Sequence, residues 1–127
     1  MVLKRILLIS IAFLTVVVRA NPPDEIVRAL NCGDAKLISK YFNSSVELIF
    51  SDNQGVYGKD QAEQILRNFF NNNTGGGGKL NYRHLHGSDR DNVQYYIGEL
   101  QTRKGMYRVY LHMKNQLIYQ MRIENND

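Results

Sequence analysis

Between Asp34 and Phe70 the hydrophobic period of the chain changes twice, and each change falls at turn-forming residues. Leu37, Ile38, Tyr41 and Phe42 recur at i, i+1, i+4 and i+5, the spacing of one helical face. From Ser45 to Ser51 the period drops to two, with Val46, Leu48 and Phe50 on one side, as in a half-buried strand. Ser51-Asp52-Asn53-Gln54-Gly55 reads as a turn and Val56-Tyr57 as a short returning strand. After Gly58, Asp60 and Glu63 stand at the spacing that opens a helix, and Ala62, Ile65, Leu66 and Phe69 give that helix an apolar face. This succession of helix, strand, hairpin and helix predicts a small α+β scaffold with helices packed on an antiparallel sheet.

The flanking residues extend the pattern. Pro22-Pro23 can start a helix, with Asp24 as its cap and Ile26, Val27 and Leu30 as a short apolar face. Gly33 suits the position just beyond its end, and Asp34 caps the next helix. Cys32, the single cysteine, can form no intrachain disulfide and is read as a small buried hydrophobe near the helix end. Residues 71–78, Asn-Asn-Asn-Thr followed by four glycines, read as a flexible loop. The run lacks the spacing of a phosphate-binding loop, and no helix follows it.

Four strands are expected after Lys79: Leu80 to His86, Val93 to Leu100, Met106 to Met113 and Leu117 to Ile123. Thr102-Arg103-Lys104-Gly105, read as a turn with Gly105 in a bulge, sets Ile97 opposite Leu111 and Glu99 opposite Val109. A three-residue loop at Lys114-Asn115-Gln116 pairs Met113 with Leu117 and Val109 with Met121. Both registers follow from matching apolar faces. They direct Tyr95, Ile97, Tyr107, Val109, Leu111, Tyr119 and Met121 toward the helices, and Tyr96, Arg108, Tyr110, His112, Gln120 and Arg122 outward. Glu99 falls on the apolar side.

The start of the chain is different in kind. Lys4 and Arg5 precede an apolar run from Ile6 to Val18, broken only by Ser10 and Thr15, and Val18 and Ala20 supply small residues at the end. This is the pattern of a secretory signal peptide over residues 1–20, with residues 21–127 as one domain. The run is shorter than the roughly 20 residues of a spanning helix, so no stable membrane span is expected after cleavage. Cleavage would leave 13 basic and 12 acidic residues, so the net charge of +4 falls to +1. That balance, with no dense Lys/Arg cluster and no Trp, argues against nucleic-acid binding. The expected destination is the periplasm or the exterior.

The order of elements resembles the nuclear transport factor 2-like superfamily from about Asp24 to Glu124. The resemblance is carried by Gly33-Asp34 between helices, Tyr41-Phe42 before the first strand, Gly58-Lys59 before the long helix and Ile97-Gly98 in the meander. Tyr95-Tyr96-Ile97-Gly98-Glu99-Leu100 and Gly105-Met106-Tyr107-Arg108-Val109-Tyr110 further resemble small secreted Bacteroidota proteins grouped as a domain family of unknown function. The resemblance implies the cone-shaped fold and brings no activity with it. The superfamily includes isomerase-like enzymes, polyketide cyclase-like enzymes, dehydratases and non-catalytic partners, and its members often dimerise through the sheet. Isomerase-type members combine a carboxylate base with a tyrosine and a protonated carboxylic acid. That trio has no counterpart at matching positions here.

Several residues are candidates for chemistry. Glu99 inside a low-dielectric cone would suit acid–base work; at the rim it would pair with Arg103 or Lys104. His84 and His86, one residue apart on a strand, would share a face, and His112 would be a third ligand of a metal site. His-x-His alone is a weak metal signal, and no metal or other cofactor is assigned. Tyr41, Tyr57, Tyr82 and Tyr95 either line a pocket or fill a half-buried sheet.

The expectation is an exported module that binds a small apolar ligand or a protein, with Tyr41, Tyr57, His84, Tyr95 and Glu99 as pocket candidates. Tyr96, Tyr110 and His112 are the candidates for a homodimer surface. The alternative is a small isomerase- or dehydratase-type enzyme using Glu99 or His84.

Overall fold

The computed structural model describes residues 20–51, 53–74 and 80–126. The expected leader through Arg19, Asp52 of the first hairpin and the glycines at 75–78 lie outside these residues. The elements run α1 (Asp24–Cys32), α2 (Ala35–Ser39), β1 (Phe42–Phe50), β2 (Asn53–Gly58), α3 (Lys59–Thr74), β3 (Asn81–Arg90), β4 (Val93–Thr102), β5 (Gly105–Lys114) and β6 (Leu117–Asn125). The six strands form one curved sheet in the order β2-β1-β6-β5-β4-β3. Only β1 and β6 run parallel; every other described pair is antiparallel. No described helix is long and apolar enough to cross a membrane.

Local chemistry sets the joints. α1 buries Ile26, Ala29 and Leu30 and stops at Gly33, whose left-handed backbone (φ 65°, ψ 36°) lets the Asp34 amide donate to Ala29 O at 2.9 Å. Asp34 then caps α2 by accepting from the Leu37 amide at 3.0 Å. Cys32 is exposed, contrary to the reading of it as buried: it lies off the face that carries Ile26, Ala29 and Leu30. α3 continues through Asn71 to Thr74, which were expected in the loop. Buried Asn73 holds that last turn, its side-chain amide donating to Phe69 O at 2.8 Å.

The core lies between the helices and the inner face of the sheet. Leu48, Met121, Leu111 and Tyr96 form one cross-strand row of that face, and Phe50, Ile123, Val109 and Gly98 form the next. Ala62, Leu66 and Phe70 of α3 close over them.

Two hairpins correct the expected registers. β4 and β5 join through a two-residue loop, with Thr102 paired to Gly105. The expected bulge there is absent, so Tyr96 faces Leu111 and Glu99 faces Arg108. A one-residue slip reverses every side chain of a strand. Accordingly Tyr96 is 7% exposed and points inward, whereas Tyr95 is 49% exposed on the outer face with Ile97 and Glu99. β5 and β6 also join through two residues, Asn115 and Gln116, both at positive φ as a tight hairpin of this hand requires. The irregularity falls instead at Tyr119, which the ladder skips between Gln120 and Ile118; this puts Ile118 in the core in place of Leu117 and pairs Val109 with Ile123.

Candidate functional site

At one end of the sheet, α3 stands away from β1, β5 and β6 and leaves a cleft of about 300 Å³. Ile65, Asn68, Phe69 and Asn72 line it from α3; their i, i+3, i+4, i+7 spacing places all four on one helical face. Phe50 of β1, Tyr107 of β5 and Ile123 of β6 close the opposite wall, and Ser51, Asn53 and Asn73 complete the lining. Phe69 is the centre of an aromatic cluster. Its ring meets Phe50 at 5.5 Å and Tyr107 edge-on at 5.1 Å and 84°.

Hydrogen bonds hold this geometry. The Tyr107 hydroxyl donates to Asn73 Oδ1 at 3.0 Å, and the Asn73 amide donates in turn to Phe69 O. The Arg103 amide donates to the Asn73 carbonyl at 3.3 Å, so one buried asparagine joins the end of α3 to the β4–β5 hairpin. At the rim, Gln64 Nε2 donates to Asn68 Oδ1 at 3.1 Å. The lining therefore has two chemistries: an aromatic and aliphatic floor, and a rim of side-chain amides and a serine hydroxyl. Among the described residues every lining side chain is uncharged at neutral pH.

A second hollow, about 450 Å³, lies between Pro23, Tyr41, Asp89, Gln94, Tyr96, Met113 and Gln116. Beside it the Tyr41 hydroxyl donates to Glu25 Oε2 at 2.5 Å. That bond, with some burial and the charge of Glu25, raises the hydroxyl pKa against the opposing charge of Arg28. Burial and, secondarily, Asp89 raise that of Tyr96.

The pocket residues expected from the sequence are not brought together. Tyr41 lines the second hollow, and Tyr57 lies over Gly55 near the β2 edge. Tyr95 and Glu99, expected inside, are on the outer face, where Tyr95 stacks on His112 at 4.5 Å and 25°. Glu99 is bonded to Arg83 at 2.7 Å and lies 3.9 Å from Arg108. His84 lies opposite Gly98 on the inner side, edge-on to Tyr96. The ladder skips Leu85, so His86 pairs with Ile97 on the outer side. This bulge separates two histidines that regular alternation would put on one face. Among the described residues no group of three or more His, Cys, Asp or Glu side chains is placed to hold a metal.

Of the expected dimer-surface residues, Tyr96 is buried in the core, while Tyr110 and His112 are on the outer face. Arg122 lies 4.6 Å from the Tyr110 ring centroid. Sequence reasoning missed the 300 Å³ cleft because Phe69 and Tyr107 read as core and Asn72 and Asn73 as loop. The signal available was the continuation of the helical face from Ile65 through Asn72.

The curved six-stranded sheet with helices on its inner face is the nuclear transport factor 2-like fold class. Within that class, residues 23–124 match the family described as a domain of unknown function, DUF4783, and the chain belongs to it. The chain is similar to the solved DUF4783 protein of Bacteroides ovatus, with 28% identity, a TM-score of 0.74, and coverage of 83% of this chain and 96% of that one. For the Bacteroides fragilis member the values are 25%, 0.73, 84% and 100%. An NTF2-like protein of unknown function from Cytophaga hutchinsonii shares the fold at 12% identity and a TM-score of 0.58, covering 80% of this chain and 84% of that one. No functionally curated protein matches the sequence.

Proposed function

We propose that this protein is an exported, non-enzymatic binding module that holds a small uncharged ligand in the cleft between α3 and the ends of β1, β5 and β6. The observation that carries the reading is the uncharged lining, an apolar floor under an amide rim, supported from behind by the Asn73 hydrogen bonds. A cleft of about 300 Å³ is at the small end of the usual range of binding pockets, and its accessible lining is more polar than their mostly apolar walls. Acid–base catalysis needs a proton-transferring group within hydrogen-bond reach of the substrate. Glu99 and His84, the candidates for such chemistry, are on opposite faces of the sheet. Export is supported by Lys4, Arg5 and the apolar run ahead of Ala20.

A protein-observed NMR screen of uncharged and charged fragments tests this reading. Hits should shift Ile65, Phe69 and Tyr107; hits that shift only outer-face residues would contradict it.

A second reading concerns the outer face, where Tyr95 remains 49% exposed although stacked on His112. This face suits association with a second copy of the chain, with Tyr95, Tyr110 and His112 at its centre. Sedimentation would show a concentration-dependent dimer weakened by Tyr95→Ala; a monomer at all concentrations would contradict this reading.

A further inference from the structure

We infer that the ligand class of this cleft is an uncharged saccharide, an inference that rests on the reading of the cleft as a ligand site. A sugar ring presents apolar C–H groups on its faces and hydroxyls around its edge. The cleft has the complementary division, with Phe50, Phe69, Tyr107 and Ile65 in the floor and the amides of Asn68 and Asn72 on the rim. Each asparagine offers a carbonyl acceptor beside two N–H donors. Neighbouring hydroxyls, which both donate and accept, match that arrangement. Asn68 is already oriented, because its Oδ1 accepts from Gln64 and its amide hydrogens remain for a ligand oxygen.

The competing chemistries fit less well. A carboxylate or phosphate is ordinarily bound by Arg, Lys or a cluster of backbone N–H groups, and an ammonium group by carboxylates. Among the described residues neither set of charged side chains lines this cleft, and an ion held there without a partner loses hydration uncompensated. A purely aliphatic ligand would cover the rim amides without giving them hydrogen bonds, which costs free energy for each group left unmade. An uncharged, hydroxyl-rich ring satisfies both parts of the lining together.

The test is an NMR titration of the protein, purified after expression of the full chain, with three probe sets. These are uncharged disaccharides (maltose, cellobiose and lactose), the charged sugars glucuronate and glucosamine, and the apolar alcohol cyclohexanol. The readouts are the side-chain amides of Asn68 and Asn72 and the rings of Phe69 and Tyr107. Saturable shifts at these groups with an uncharged disaccharide, and weaker or no shifts with the charged sugars, are the expected result. Asn68→Asp and Asn72→Asp alter exposed positions, so amide dispersion should report an unchanged fold. Each should weaken disaccharide binding by about tenfold. If cyclohexanol shifts the floor rings while no sugar does, the saccharide inference fails and the cleft reading stands. If charged sugars bind at least as well as uncharged ones, the saccharide inference also fails. If no probe shifts any of these groups, both are overturned.

Discussion

The ring of Tyr82 occupies the space that a side chain at Gly98 would need: a β-carbon there would lie 2.3 Å from the ring atoms and the hydroxyl. Tyr82 is itself buried as part of the core cluster, so its ring could yield only by displacing packed neighbours. Gly98→Ala should therefore destabilise the fold by about 1–3 kcal/mol, the usual cost of overpacking. Urea denaturation checks this; an unchanged midpoint would mean that the ring moves freely.

The same packing makes stability fall at alkaline pH. Burial pushes the Tyr82 hydroxyl up to about 12 from its ordinary 10.0. Below pH 10 both folded and unfolded chains keep the proton, so the contribution is fully present. Between pH 10 and 12 the unfolded chain ionises first, and stability is lost as pH rises toward the folded-state value, by about 2 kcal/mol at most. Tyr82→Phe removes this component of the alkaline loss. It also removes a buried hydroxyl that has no hydrogen-bond partner among the described residues, so near pH 7 it should be neutral or stabilising by up to about 1 kcal/mol. Comparing thermal unfolding of the two proteins from pH 7 to 11.5 separates this group from the others that titrate.

Glu124, Arg108, Glu99 and Arg83 are consecutive cross-strand neighbours on β6, β5, β4 and β3, so charge alternates along one row of the outer face. Glu99, with its side chain 16% exposed, lies between the two arginines. Arg83 is largely solvated, which limits the energy of the pair. Glu99→Gln should cost about 1 kcal/mol or less, with the difference shrinking at high salt. It should leave occupancy of the α3 cleft unchanged. A loss of ligand binding in this variant, measured by calorimetry, would return Glu99 to the site.

Asn73 joins α3 to the sheet through Tyr107 and Phe69. Asn73→Ala removes the acceptor of the part-buried Tyr107 hydroxyl and the second bond to the Phe69 carbonyl, which keeps its helical partner, at about 1 kcal/mol. Hydrogen exchange should show faster opening in the last turn of α3 and in the 102–107 segment. Equal protection in both proteins would deny Asn73 this role.

The scaffold was legible because its signals were local. Asp34 at its cap, Gly33 at the helix end and the helical face of α3 each use a chemistry confined to a few residues. The inner and outer faces of β4 were not legible, because Tyr95 and Tyr96 are adjacent and apolar residues occur on both faces. Matching apolar residues alone gives a register one residue out, which puts Glu99 and Tyr95 on the wrong side. Gly98 carried the missing information. A glycine within a strand often marks close approach by another group, here the Tyr82 ring, which requires position 98 to face inward. The bulge at Leu85 depends on pairing with β4, so the separation of His84 from His86 was equally hidden.

The most direct test of the binding-module account is a crystal structure of the protein grown with a compound that co-purifies from its native host or is selected from the disaccharide panel. The account predicts ligand density over Phe69 and Tyr107, bounded by Asn68 and Asn72, with no contact to Glu99 or His84. Density placed instead on the outer face around Glu99, or in the hollow between Tyr41 and Tyr96 with the α3 cleft empty, would contradict it.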